Sequence, residues 1–208
     1  IDRGLVGSEM CIRDRLWIMQ EMKKDGIENV RSEEVMVPKW VRGEESAKMV
    51  KPWSKNLAML GLGGSIGTKS NGITAKVIAV SNFEELANRS NEVKGKIVLF
   101  NVPFDTYSNT VKYRVRGAIE ASKHGAVASL VRSVGTFSMN TPHTGNSSYE
   151  DGVKKIPHAA ITIEDAAMIG RMLENGQDVE VNLKMEAQNY PDVLSVSYTH
   201  LTLPTIRL

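Results

Sequence analysis

The sequence predicts an α/β fold of two unequal units, and three observations predict it. A helical pattern and short strands near the N-terminus hold all three tryptophans, Trp17, Trp40 and Trp53. A glycine-rich passage, "GLGGSIGTKSNG" (61–72), then separates that stretch from the rest. Beyond it β-branched runs alternate with amphipathic helical patterns, the grammar of a mixed or parallel sheet with covering helices.

Taken in order, "LWIMQEMKKDG" (16–26) brings Leu16, Trp17, Met19 or Gln20, and Lys23 onto successive helical turns, and Gly26 suits the residue past the helix end. "EEVMVPKWVRGEESAKMVKP" (33–52) reads as two short strands around Pro38 to Gly43, and "KNLAML" (55–60) as another. The tryptophans read as core packing and strand-edge cover rather than as a stacking platform. "ITAKVIAV" (73–80) is a strand, and "NFEELANRS" (82–90) a short helix with Asn82 as cap and Glu85 three residues on. "GKIVLF" (95–100) is a buried strand. "NTVKYRVRGAIEASKHG" (109–125) is a helix with Val111, Val115, Ala118, Ile119 and Ser122 on one face and Gly125 at its end. "AVASLVR" (126–132) is a strand, followed by a loop of 25 residues, 133–157, a length associated with function or disorder. "HAAITI" (158–163) is a strand, and "EDAAMIGRMLENG" (164–176) a helix led by Thr162, with acidic residues at its positive end. In "DVEVNLKMEAQ" (178–188) Val179, Val181, Leu183 and Met185 alternate with polar residues, which makes a half-buried strand. Periodicity alone allows either a flavodoxin-like sheet or a small mixed α/β barrel for this second unit.

The two ends read differently from the rest. Met10 to Asp14 back-translates as ATG TGT ATA AGA GAC, whose reverse complement encodes Val196 to His200, "VSYTH". Protein segments have no physical reason to encode each other's opposite strand. Residues 1–15 and 195–208 are therefore expected to be adapter-like scars, and fold reasoning is confined to 16–194. Cys11, the only cysteine, falls in the first scar, which leaves no disulfide framework, thiolate zinc site or cysteine nucleophile. Setting both ends aside lowers Lys+Arg from 26 to 22 and Asp+Glu from 24 to 21, a balance that argues against a nucleic-acid partner. Apolar runs stay short of the about 18 residues a membrane helix needs, so no membrane partner is expected.

The motifs for chemistry are absent. "GLGGSIG" fits G-x-G at Gly61 and Gly63 but has Ile66 at the third glycine position, and a turn and a strand follow it instead of a helix. His124, His143 and His158 lie in none of the spacings that zinc sites use. His124 precedes a helix-ending glycine, where a cation meets the helix dipole favourably, and His158 opens a strand after Pro157 as an edge residue. Adjacent acid pairs such as Glu150-Asp151 point apart, so they are solvated charges or caps. No G-x-S-x-G elbow exists, and no catalytic or metal residue can be named. The candidates that remain lie in and beside the long loop: Arg132, Ser133, His143 and Thr144.

Long blocks of the chain, "VPKWVRGEESAKMVKP", "AMLGLGGSIGT", "GITAKVIAV", "TVKYRVRGAIEASKHGAVASLVRSV", "FSMNTPHTG", "YEDGVKKIPHAAITIEDAAMIGRM" and "LKMEAQNYPD", closely resemble the secreted or lysosomal zinc metallocarboxypeptidases of the aminopeptidase-like, co-catalytic family. The resemblance implies a protease-associated domain at 66–187, a small mixed α/β barrel-like insert. Residues 16–65 would be an incomplete N-terminal piece of the zinc-peptidase α/β domain, and 188–194 the return to it. It implies hydrolysis of small peptides, dipeptides especially, by two zinc ions in the parent protein, which would form a homodimer. The family's H-x-D, Asp-Asp-Gly and Glu-Glu ligand segments all follow the return strand, so this chain is expected to bind no zinc and to be inactive alone. The insert would act as a lid that selects short substrates, with Arg132, Ser133, His143 and Thr144 on the loop facing them. The alternative from the residues themselves is a free-standing, non-catalytic module that binds a peptide or small ligand.

Overall fold

A computed structural model describes residues 9–137 and 139–199, of which 9–12 and 195–199 are described by backbone alone. The described residues fall into two compact units, 40–189 and a smaller one made of those up to 39 together with those from 190 on.

The smaller unit holds helix α1 (Glu9–Lys24) and strand β1 (Arg31–Val41), which pairs with β10 (Gln188–Thr199). Helix α1 begins at Glu9 and β10 runs on to Thr199, so both cross the junctions expected at 15/16 and 194/195. The helix ends in a Schellman motif. Ile27 N–H donates to the Met22 carbonyl at 3.0 Å and Gly26 N–H to that of Lys23 at 3.1 Å, with Gly26 at φ +78°. Strand β1 passes straight through Pro38 instead of breaking there. Proline keeps a carbonyl to offer and lacks only the donor, which a strand with one free edge tolerates. Leu16, Trp17, Val35, Met36 and Leu194 stay exposed, Trp17 at 62%.

The larger unit is built on one eight-stranded sheet. Its strands are β2 (Glu45–Lys51), β3 (Lys55–Leu57), β4 (Met59–Gly61), β5 (Ile73–Val80), β6 (Ile97–Phe100), β7 (Ala128–Arg132), β8 (His158–Ile161) and β9 (Glu180–Met185), in the order β3-β2-β9-β5-β6-β7-β8-β4. Strands β5 to β8 are mutually parallel, with Ile97 beside both Val77 and Ala128, and the other pairings are antiparallel. The two edge strands, β3 and β4, are separated by Ala58 alone. A single residue spans at most about 3.6 Å of chain, so the sheet must roll until its edges meet. That makes it barrel-like and decides between the two architectures that periodicity left open. Asp165 closes the seam: 3% exposed, its carboxylate accepts from Lys55 Nζ at 2.6 Å and from Ala58 N–H at 3.2 Å.

Between the parallel strands run α2 (Phe83–Asn88), α3 (Ser90–Val93) and α4 (Tyr107–Lys123), and α5 (Ile163–Glu174) follows β8. Asn82, Thr106 and Thr162 cap α2, α4 and α5, each side-chain oxygen accepting from the backbone N–H three residues on. Alternation along the strands divides the core in two. Ile97 and Leu99 pack with Ala166 and Ile169 of α5 and with Val181 and Leu183 of β9, while Val98 and Phe100 pack with Leu86, Tyr113 and Ala118.

Several expectations are corrected. Strands β2, β3 and β4 belong to the barrel, so the compact unit starts well before residue 66. The glycine-rich passage packs against this unit. Leu62 within that passage is fully buried, and a Cβ on Gly67 would lie 2.7 Å from the Met185 carbonyl oxygen. Helix α4 buries Thr110, Tyr113, Arg114, Gly117, Ala118, Ile119 and Ala121, a face rotated from the expected one, on which Val111 and Val115 are only half-buried. Trp40 packs on the core and donates from Nε1 to the Ser65 carbonyl at 2.9 Å, but Trp53 is half exposed. His158 is no edge residue: it is fully buried, between β7 on one side and β4 on the other.

Candidate functional site

The loop between β7 and β8 is held by side chains of the strands and helix around it. Ser133, 2% exposed, donates from Oγ to the Ile161 carbonyl at 2.8 Å and accepts from His143 N–H at 2.8 Å. It therefore pins the loop's return to the end of β8 and turns no atom outward. Gly63 N–H donates to the Gly145 carbonyl at 2.8 Å and Ser147 N–H to that of Gly63 at 2.9 Å, so the glycine-rich passage forms the loop's floor. The third glycine needed for a phosphate loop is replaced by Ile66, whose N–H donates to Tyr149 Oη at 3.1 Å, and Tyr149 donates in turn to the Ile156 carbonyl at 2.7 Å.

His143 and Thr144 are both exposed, and the structure brings them together over one buried side chain, Arg114. Arg114 Nη1 donates to the Thr144 carbonyl at 3.3 Å and lies 3.5 Å from His143 Nδ1; Nη2 donates to Tyr107 Oη at 2.6 Å. Thr144 Oγ1 reaches the Gly61 carbonyl at 3.4 Å. Arg132 has a different partner, donating from Nη1 to Asn101 Oδ1 at 3.4 Å where β6 ends. Its half-buried guanidinium has a pKa lowered by burial, with Glu164 opposing the shift, and its Nε has no acceptor.

Sequence reasoning did not find Arg114, Tyr107 or Asn101. A signal existed for Arg114, which falls among Thr110, Gly117, Ala118 and Ala121 at helical spacing, so a charge stands on a face of small residues. Gly117 is small for the same reason: a Cβ there would come within 2.9 Å of Phe100 and 3.0 Å of His158.

Elsewhere, a cleft of about 560 Å³ lies between β5, α3 and α5; most of its charges are mutually engaged, Arg89 with Glu85 and Glu92, and Lys76 with Asp178, while Lys96 and Glu174 also line it. Among the described residues no three His, Cys, Asp or Glu side chains could hold a metal ion, so the residues present do not fit a zinc centre. No described helix is long and apolar enough to cross a membrane.

No protein-family model matches the chain. Carboxypeptidase Q of Mus musculus is 53% identical over 173 residues, which are 83% of this chain and 37% of that protein. The chain thus spans less than half the length of the curated relatives it matches. A crystal structure described as a peptidase M28 precursor from Shewanella amazonensis superposes with a TM-score of 0.83 at 31% identity, covering 92% of this chain and 45% of that one. A zinc aminopeptidase from Bacillus subtilis shares the fold, with a TM-score of 0.58 at 20% identity over 92% of this chain and 41% of its own. With more than half its aligned residues identical, the chain is a homologue of carboxypeptidase Q, built on the fold of an M28 peptidase.

Proposed function

We propose that this chain is the front part of a zinc-dependent carboxypeptidase that hydrolyses small peptides, dipeptides with free termini especially. The 53% identity to carboxypeptidase Q carries the reading. The exposed apolar residues of the smaller unit, Leu16, Trp17, Met36 and Leu194, agree with it, because an incomplete piece of a peptidase domain leaves such surface uncovered. Residues 66–187, within the larger unit, are read as a protease-associated domain. The long loop is the part of a lid that faces substrate, with His143 and Thr144 outward, Ser133 holding the loop in place and Arg132 beside it. Two zinc ions, bound by segments other than these, would lower the pKa of a water and polarise the scissile carbonyl; no catalytic step is assigned to the residues of this chain. The parent is read as a homodimer of the secretory pathway or lysosome.

The test is to sequence the parent transcript across both junctions and express its whole reading frame. Dipeptide hydrolysis that is lost with a chelator and restored by zinc is expected. A stop codon directly after Asp192, or a whole protein that leaves dipeptides intact, would sink the reading and leave a free-standing binding module.

A further inference from the structure

Helix α4 carries a positive charge that its surroundings do not neutralise. Arg114 is 6% exposed, and each partner of its guanidinium is neutral: Tyr107 Oη, the Thr144 carbonyl and the His143 ring. Its Nε hydrogen has no acceptor. Among the described residues no carboxylate pairs with it, and the acids just before α4, on α4 and late in the loop are engaged elsewhere. Asp105 accepts from Asn109 at 2.6 Å, Glu120 pairs with Arg116 at 3.0 Å and Glu150 with Lys123 at 3.2 Å. Burying a lone cation is costly, and buried charges are ordinarily paired.

The surroundings are shaped to keep the guanidinium in place. The loop returns across it at Gly145, where a Cβ would lie 2.6 Å from Cζ, so the absence of a side chain there is what lets the backbone cover the cation. Over its outer edge lie Tyr107, 53% exposed, and exposed His143. The Tyr107 oxygen accepts from Arg114, which leaves its own hydrogen to donate outward. With Nδ1 turned to the arginine, His143 keeps Nε2–H for the outside. Two outward donors are thus backed by a single uncompensated charge, beside the first turn of α4, where the helix dipole adds to the positive potential.

We propose that Arg114, Tyr107 and His143 form a binding site for one carboxylate, the free carboxylate of a small peptide; this assignment of the ligand rests on the peptidase reading above. One uncompensated charge and two neutral donors match a monoanion with two oxygens. Phosphate fits less well, because its second negative charge would find no partner.

The test uses this chain and N-acetylglycine, with N-acetylglycinamide as its neutral counterpart and inorganic phosphate as a competing anion, and follows the Thr144 and Gly145 amide resonances. The acid is expected to shift them saturably and the amide to leave them unmoved. Tyr107→Phe and His143→Ala, at positions exposed enough to keep the fold, should each weaken binding by about tenfold, the effect of losing one charge-assisted hydrogen bond. Arg114→Gln should abolish it. Equal shifts from acid and amide, no shift from the acid, tighter binding of phosphate, or unweakened binding by both exposed-residue variants would overturn the site. Binding here needs neither zinc nor turnover. A parent protein that fails to cleave dipeptides while N-acetylglycine still binds would remove the proposed function and leave the carboxylate site standing.

Discussion

Acidification should loosen the larger unit through His158, and the size of the effect follows from its surroundings. The ring is fully buried, with Nε2 3.0 Å from the Arg114 carbonyl and Nδ1 2.6 Å from Ser129 Oγ. Nε2 carries a hydrogen for the Arg114 carbonyl; Nδ1 also lies 3.2 Å from the Ser129 carbonyl, so it is burial that keeps the ring neutral, with Nδ1 receiving the shorter bond from the Ser129 hydroxyl. Burial pushes its pKa from 6.5 down to about 4, with backbone carbonyls opposing only in part. The unfolded chain therefore takes up a proton between pH 6.5 and 4 that the folded one refuses. The contribution to stability is complete above pH 6.5 and is lost as the pH falls toward 4, amounting to about 3 kcal/mol. Other acids also titrate in that window, so the comparison is with His158→Gln. At pH 7 this variant should be less stable than the wild type by about 3 kcal/mol, because it strands buried hydrogen-bonding groups. Urea denaturation should show that gap shrinking to near zero by pH 4. A gap that stays constant from pH 7 to 4 would mean the histidine is not held neutral, and the reasoning would fall.

Three further outcomes are expected. Asp165→Asn leaves one acceptor for Lys55 and Ala58 and turns an amide toward the ammonium; with Lys55 39% exposed the loss is discounted to about 2 kcal/mol, read from chemical denaturation. Gly67→Ala sets a Cβ 2.7 Å from the Met185 carbonyl and 2.9 Å from that of Ala187, backbone atoms that cannot swing aside, so a loss of about 2 kcal/mol and a lower melting temperature should follow. The double variant Phe137→Ser, Met139→Ser replaces side chains 76% and 81% exposed, so stability should stay within about 0.5 kcal/mol. In the whole protein, the same change should raise the KM for dipeptides if the loop faces substrate.

How far the fold was legible depended on how local its cause was. Asn82 and Thr162 were readable as helix starts, and Gly26 and Gly125 as helix ends, because a cap needs only its own turn. The alternation of Val179, Val181, Leu183 and Met185 was readable for the same reason. The cap Thr106 was missed, and with it the first turn that presents Tyr107. The site was less legible still. His143 and Thr144 stood out by their loop, but the guanidinium that joins them lies 29 and 30 residues away on α4, and no local pattern links those positions.

By itself the sequence determined that this is an α/β protein, where most of its elements lie and which relatives it resembles. Those depend on periodicity, on turn chemistry and on long runs of shared residues. Only the tertiary structure decided that the glycine-rich passage forms the floor of the long loop, that β3 and β4 close the barrel through Ala58, and that Arg114 lies without a counter-charge beneath His143. Each of these is a contact between distant residues, set by which groups must be buried together and by whether a partner is present when they are.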